Sequence, residues 1–251
     1  MSENEVKIRG KNITVAYGDN VLMKDVCFDV RKGDVFIIMG GSGCGKSSLM
    51  RVMTGLKEPT RGRIFIDGID FYAQNDDARK LMMQKCGILY QSGALFSSMT
   101  LAENVALPLQ QYSDYSKSMI DDLVKLKLAL VGLKGYEDFY PAEISGGMKK
   151  RAGLARALAL DPEILYFDEP SAGLDPVSSN LLDELILEIN RSLGTTIVVI
   201  THELRSIYAI GNNSIFLDAD VKQISARGNP KDLLKNPPNE NVLKFLTGGK
   251  K

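Results

Sequence analysis

The run Gly40-Gly41-Ser42-Gly43-Cys44-Gly45-Lys46-Ser47 concentrates more chemistry than any other segment of the chain. It fits the pattern G-x-x-x-x-G-K-S. Glycines let the backbone curl until several N–H groups point into one concavity, and a helix starting there adds positive potential. Lys46 would bring charge to β- and γ-phosphates, and the Ser47 hydroxyl, followed by Ser48, would offer an oxygen to Mg²⁺. Context separates such a loop from a plain glycine-rich turn. Val35 to Met39 before it reads as a buried strand and Ser47 to Leu56 after it as a helix, so the chemistry indicated is that of a P-loop.

A second group stands far along the chain. Ile164-Leu165-Tyr166-Phe167 is apolar throughout and runs into Asp168-Glu169-Pro170, so a buried strand would deliver two carboxylates at its C-terminal edge. Asp168 is placed to hold Mg²⁺, and Glu169 to orient and polarise a water as general base. Alone, Asp-Glu-Pro after a strand reads as a solvated turn; paired with a P-loop, its functional reading dominates. Ser145-Gly146-Gly147 opens a helix that continues through Lys149, Lys150 and Arg151. Without other motifs it would be a plain helix cap, and the helix dipole also makes it an anion site. His202, the single histidine of the chain, follows the apolar run Thr196 to Ile200.

These groups need a sheet that gathers its strand ends. Val35 to Met39, Ile164 to Phe167 and Thr196 to Ile200 are continuously apolar and predict three strands of a parallel core sheet covered on both faces. Val26, Phe28 and Val30 alternate with polar residues before the turn Lys32-Gly33-Asp34, the pattern of a half-buried strand, and Val6, Ile8, Ile13 and Val15 read similarly. Helical spacing marks Ser47 to Leu56, Leu101 to Gln110, Lys117 to Val131, Gly147 to Leu160 and Val177 to Leu193. The class is α/β.

The chain reads as one domain, 1–251, with a core formed by 1–91 and 162–228. Residues 92–161 are mostly helical, include a capping box at Thr100 and Glu103, and read as an inserted helical lobe. Residues 229–251, with Pro230, Pro237 and Pro238, read as a loosely attached tail carrying a short helix near Val242 to Leu246.

Bulk properties narrow the partners. The chain is long enough to bury a core without disulfides or metals. Lys plus Arg number 31 and Asp plus Glu 31, so no net positive field draws it to nucleic acid. Cys27, Cys44 and Cys86 are odd in number, which suits a reduced protein. The start Ser2-Glu3-Asn4-Glu5 lacks the basic and apolar regions of a signal peptide. The longest apolar runs fall far short of the roughly 20 residues that span a bilayer, so any membrane role must come through a partner.

The motifs, in this order, resemble those of the ABC ATPases from about residue 6 to residue 228. Ile144-Ser145-Gly146-Gly147-Met148 resembles the signature motif, Tyr17 the aromatic residue that stacks on adenine, and Gln91 the Q-loop glutamine that senses Mg²⁺. Ser171-Ala172-Gly173-Leu174-Asp175 resembles the D-loop, and Thr201-His202 the switch histidine that contacts the γ-phosphate. The resemblance implies a P-loop NTPase fold with a RecA-like core, an N-terminal antiparallel β subdomain and an inserted α-helical subdomain. It also implies ATP and Mg²⁺ as cofactors. Tyr17, Gly40, Gly41, Ser42, Gly43, Cys44, Gly45, Lys46, Ser47 and Ser48 would bind ATP, with Ser145, Gly146 and Gly147 acting from a second copy of the chain. Ser47, Gln91 and Asp168 would hold the metal, and Glu169, His202, Gln91 and Asp175 would serve catalysis. Met148 departs from the family's glutamine, and a methionine cannot donate a hydrogen bond as an amide does.

The run Ser92 to Thr100, Glu103-Asn104-Val105, Leu107-Pro108-Leu109, Gly147 to Arg151 and the terminal Val242 to Leu246 look like the Mla-type ATPases of bacterial phospholipid transport. That likeness implies an integral membrane permease, an MCE-domain protein and an accessory subunit as partners, at the cytoplasmic face of the inner membrane. Leu95, Phe96 and Met99 are candidate permease contacts, or else ordinary core of the lobe. Rival readings are an importer ATPase for amino acids or metals, an ABC ATPase without cargo in cell division or lipoprotein release, and a P-loop kinase, which would lack Ser145-Gly146-Gly147.

Overall fold

Burial decides which strands share a sheet. The computed structural model describes residues 5–249; Ser2, Glu3 and Asn4, on which the expectation about a signal peptide partly rests, lie outside the described residues. β1 (Val6–Tyr17) and β2 (Asn20–Arg31) form a long antiparallel pair, and β2 alternates buried Val26, Phe28 and Val30 with exposed neighbours. β3 (Val35–Gly40) is buried at every position. After α1 (Lys46–Met53), β4 (Arg61–Ile66) and β5 (Ile69–Asp70) complete a four-stranded sheet in the order β2-β1-β4-β5.

α2 (Asp76–Gln84) then leads to β6 (Cys86–Leu89), an edge strand of the second sheet. From there to β7 (Ile164–Asp168) the regular elements are helical: α3 (Leu101–Tyr112), α4 (Lys117–Leu130), a 3₁₀ turn at Pro141–Glu143 and α5 (Gly146–Ala157). The capping box expected at the start of α3 is present, with Glu103 N–H donating to Thr100 Oγ1 (3.2 Å) and Thr100 N–H to Glu103 Oε2 (2.7 Å). α6 (Pro176–Leu193), β8 (Thr196–Ile200), α7 (Leu204–Ile210), β9 (Asn213–Asp218) and β10 (Gln223–Arg227) close the sheet. Its order is β10-β9-β3-β8-β7-β6, parallel except for β10 against β9.

The three apolar runs therefore lie side by side as β3-β8-β7, and they are apolar because both faces are covered. Ile37, Met39, Phe167 and Val199 join one hydrophobic cluster with α3, α4, α5 and α6. Phe36, Ile38, Tyr166, Val198 and Ile200 join the other, with α1 and the antiparallel sheet. Lys7 ties the two sheets together, its buried ammonium bonding Asp67 (2.8 Å) and Glu163.

The tail is not loose. α8 (Pro230–Lys235) and α9 (Glu240–Leu246) dock on the core: Val242 is 0% exposed, the Phe245 ring lies 5.3 Å from that of Phe216, and Tyr208 Oη donates to Leu246 O at 2.6 Å. Val242, Phe245 and Leu246 share one helix face, and Asn239 caps the helix by accepting from Val242 N–H at 2.9 Å. One apolar turn, capped at its start, outweighs the two prolines before it. Val242→Ala is expected to lower stability by about 2 kcal/mol, counting lost transfer energy and cavity together. In scanning calorimetry that is a fall of about 4–8 °C in Tm for a chain of this size; an unchanged Tm would mean an undocked tail.

Candidate nucleotide site

β3 ends at Gly40, whose φ of 149° and surroundings leave no room for a side chain: a Cβ would lie 2.3 Å from Leu217 O on β9. The loop then turns back and enters α1 through Gly45, at φ 97°, which directs the first N–H groups of the helix into the loop. Lys46 Nζ donates to Gly40 O and Gly41 O, at 2.9 Å each. An ammonium has three protons, so one remains for an anion while the other two brace the loop. Cys44 lies within the loop, its Sγ 4.0 Å from Lys46 Nζ. Its thiol is turned inward, 3% exposed, and burial pushes its pKa up against the opposing pull of Lys46.

A cleft of about 740 Å³ joins this loop to the ends of the neighbouring strands. Gly40 to Gly43 and Gly45 to Ser48 line it, together with Gln91, Asp168, Glu169 and His202. The strand register explains the meeting: Asp168 pairs with Ile200, Glu169 N–H donates to Ile200 O (2.9 Å), and His202 follows two residues later. His202 Nδ1 stands 2.8 Å from Glu169 Oε1. Glu169 Oε2 is buried and has no hydrogen-bond partner among the described residues. Glu169 also has φ 51°, a left-handed backbone that costs a non-glycine residue of order 1–3 kcal/mol.

Ser47 Oγ donates to Asp168 Oδ1 at 3.4 Å. Burial, and then the adjacent Glu169 carboxylate, hold the Asp168 pKa above its usual value. Two carboxylates in sequence, one with its charge disfavoured, suit a site that receives a cation. Among the described residues no group of three or more His, Cys, Asp or Glu could cage a metal. The Ser47 hydroxyl and the Asp168 carboxylate are oxygen donors of the kind that would hold Mg²⁺ if phosphate and water supplied the rest.

Tyr17, 45% exposed, stands beside the cleft rather than in its lining: its Oη is 3.4 Å from Ser48 Oγ, and Lys57 Nζ lies 4.3 Å over the ring. The remaining expected residues are elsewhere. Ser145, Gly146 and Gly147 form the start of α5 and do not line the cleft of their own chain. Ser145 and Gly146 are exposed. Ser145 Oγ accepts from Met148 N–H (3.2 Å), so this cap uses the backbone of residue 148 and is indifferent to its side chain, which packs against the lobe core. Asp175 also lies outside the cleft. Its carboxylate caps α6, accepting from Val177 N–H, Ser178 N–H and Ser178 Oγ–H, and these bonds, the Ser178 hydroxyl first, lower its pKa.

A family profile described as ABC transporter matches residues 23–172. The chain belongs to the ABC transporter family. It is an ATP-hydrolysing subunit of a transporter. This ABC ATPase is 40% identical over 243 residues to the "probable ribonucleotide transport ATP-binding protein mkl" of Mycobacterium leprae, covering 97% of this chain and 69% of that one. It is 36% identical over 248 residues to the "intermembrane phospholipid transport system ATP-binding protein MlaF" of Haemophilus influenzae, covering 99% and 92%. In structure it is similar to a dimeric ATP-binding cassette bound to ADP and Pi in a post-hydrolysis state. The TM-score is 0.80 at 29% identity, covering 88% of this chain and 98% of the other.

Two lining residues of the ABC ATPase carry no sequence signal as such. Leu22 is one apolar residue of β2, and Phe245 belongs to the apolar turn of α9. Loss of the Lys46 ammonium removes the brace on Gly40 and Gly41 and the charge that would meet a phosphate in the cleft. Lys46→Ala is therefore expected to weaken ATP about 10- to 100-fold in a fluorescent-nucleotide titration. An unaltered isotherm would take Lys46 out of the site.

Proposed function

We propose that this ABC ATPase drives an integral membrane permease for phospholipid. Two copies would act head to tail around two ATP molecules with Mg²⁺, at the cytoplasmic face of the inner membrane. The observation that carries the pairing is the separation of the signature segment from the cleft. The start of α5 is a solvent-exposed helix N-terminus that would suit an anion, while Lys46, Asp168, Glu169 and His202 meet in a cleft that Ser145 does not line. A second copy related by two-fold symmetry completes both halves at once. The dimeric cassette with ADP and Pi supports this arrangement.

Within each site the backbone N–H groups of Gly41 to Ser47 and the Lys46 ammonium would hold the phosphates. Ser47 Oγ and Asp168 would hold Mg²⁺, with Gln91 beside them; the ion supplies charge neutralisation on the β- and γ-oxygens. Glu169 Oε2, with no other partner among the described residues, would take a proton from the attacking water. His202, against Oε1, would keep that carboxylate turned toward the cleft and reach the γ-phosphate with its other nitrogen. Ser145 of the partner copy would cap the γ-phosphate by donating its hydroxyl proton, since the bond from Met148 N–H uses only its oxygen as acceptor. Tyr17 would lie against the adenine. Asp175 would act through the start of α6 that it caps.

No helix of the described residues is long and apolar enough to cross a membrane. The permease contact falls best on the loop of Leu95, Phe96 and Met99. Buried Asn104 holds that loop, accepting from Phe96 N–H while its two amide protons are shared among Phe96 O, Met99 O and Thr100 O. Phospholipid as cargo rests on the likeness to MlaF over nearly the whole of both chains. The same reading brings an MCE-domain protein and an accessory subunit into the assembly.

Glu169→Gln is expected to keep ATP binding, slow turnover about 10²- to 10⁴-fold and accumulate a dimer with Mg²⁺-ATP in size-exclusion chromatography. Turnover at the wild-type rate would remove Glu169 from the base role. An equal mixture of Ser145→Arg and Lys46→Ala chains retains at most one intact composite site per pair, and full two-site activity would contradict the sandwich. Purifying the native complex and identifying its subunits and bound lipids tests the cargo; a complex carrying nucleotide or metal cargo and no phospholipid would overturn it.

A further inference from the structure

Lys150 is 6% exposed, within the first turns of α5, yet no carboxylate among the described residues forms an ion pair with it. Its Nζ instead donates to two backbone carbonyls across the interface between the lobe and the core: Glu169 O at 3.3 Å and Ala172 O at 3.1 Å. Burying an ammonium against neutral carbonyls is costly, and burial lowers its pKa, with the nearby Glu169 charge opposing. A methionine or leucine would fill the space without that cost.

The two carbonyls close a turn. Ala172 N–H donates to Glu169 O at 3.2 Å, so Glu169 O accepts from both the turn and Lys150. Glu169 is also the residue forced to φ 51°. A left-handed glutamate persists only where its surroundings hold it. Two restraints come from the core side, Glu169 N–H to Ile200 O and Ala172 N–H to Glu169 O; a third comes from the lobe, through Lys150. Two residues at helical spacing from Lys150 grip the segment after Gln91. Gly153 lies so close that a Cβ would stand 2.8 Å from Gly93 O, and Arg156 donates to Ala94 O (2.8 Å) and Gly93 O (3.2 Å). The helix that presents Ser145 to the partner copy thus holds both loops of its own cleft.

We propose that Lys150 is a positioning residue for hydrolysis, whose buried ammonium fixes the backbone of Glu169 and Ala172 and thereby aims the Glu169 carboxylate at the attacking water. This rests on the reading of Glu169 as general base. It makes the helical lobe a participant in the chemistry of its own chain as well as of its partner's.

The test compares steady-state ATP hydrolysis by the full chain carrying Lys150→Met, which has similar reach and no donor, with Lys150→Arg, which keeps charge and donors at nearly the same volume. Lys150→Met is expected to lower kcat about 10- to 100-fold while KM and ATP affinity change less than about threefold, and Lys150→Arg to restore kcat to within about threefold of wild type. In a Glu169→Gln background, where there is no base to aim, Lys150→Met is expected to change single-turnover hydrolysis by less than about twofold. If Lys150→Met melts below the assay temperature, Lys150→Leu, equally without a donor, takes its place and is expected to lower kcat at constant KM. Undiminished kcat in the donor-free variant, an equal loss in the Arg variant, or the same fractional loss in both backgrounds would overturn the proposal. Slow Glu169→Gln with fast Lys150→Met rejects this role alone, whereas fast Glu169→Gln rejects the base assignment itself.

Discussion

Parallel pairing of β3, β8 and β7 is the constraint from which the site follows. Ile38 pairs with Ile200 and Ile200 with Asp168, so three strands finish at one edge of the sheet within a residue or two of each other. The phosphate loop leaves the first, His202 follows the second, and Asp168 and Glu169 end the third. Shifting any of these strands by one residue would turn its side chains to the opposite face and scatter the group. The register is held because all three strands are buried on both faces by two separate clusters.

Unfavourable features collect at that same edge. A glutamate with left-handed backbone, an aspartate whose ionisation is disfavoured, and a carboxylate oxygen without a partner among the described residues lie within a few residues of one another. Such a concentration persists because the apolar strands behind it are rigid, and it marks where charge is to be received. Among the expected residues outside the cleft lining, Ser145, Gly146, Gly147 and Asp175 are not strained. They are helix starts with their caps in place, ready to meet another surface.

What could be read beforehand follows from how each element is buried. β3, β7 and β8 are legible because burial on both faces demands an unbroken apolar run. β6 and β9, equally part of that sheet, are not. β6 is four residues long and contains Gly87, required because a Cβ there would meet Ala157 O at 2.2 Å. β9 starts with Asn213 and Ser214, polar residues that bond Asp34 Oδ2 and Gly228 O and so break the apolar pattern. At the site, residue types and spacing point to the loop and the two carboxylates. Spacing alone could not place Ser145 away from Lys46, nor bring Phe245 to the cleft, since both depend on how distant helices dock. Lys150 was legible only as one of three adjacent basic residues, and its burial is a tertiary fact.

Cys44 sits in the middle of the phosphate loop, the segment a reactive oxidant or alkylating agent would most damage by modifying. The side chain is 3% exposed and burial raises its pKa, and both disfavour reaction of the thiol. The loop therefore carries a sulfur that burial shields from electrophiles, and labelling of that atom would clock the moments when the loop comes undone.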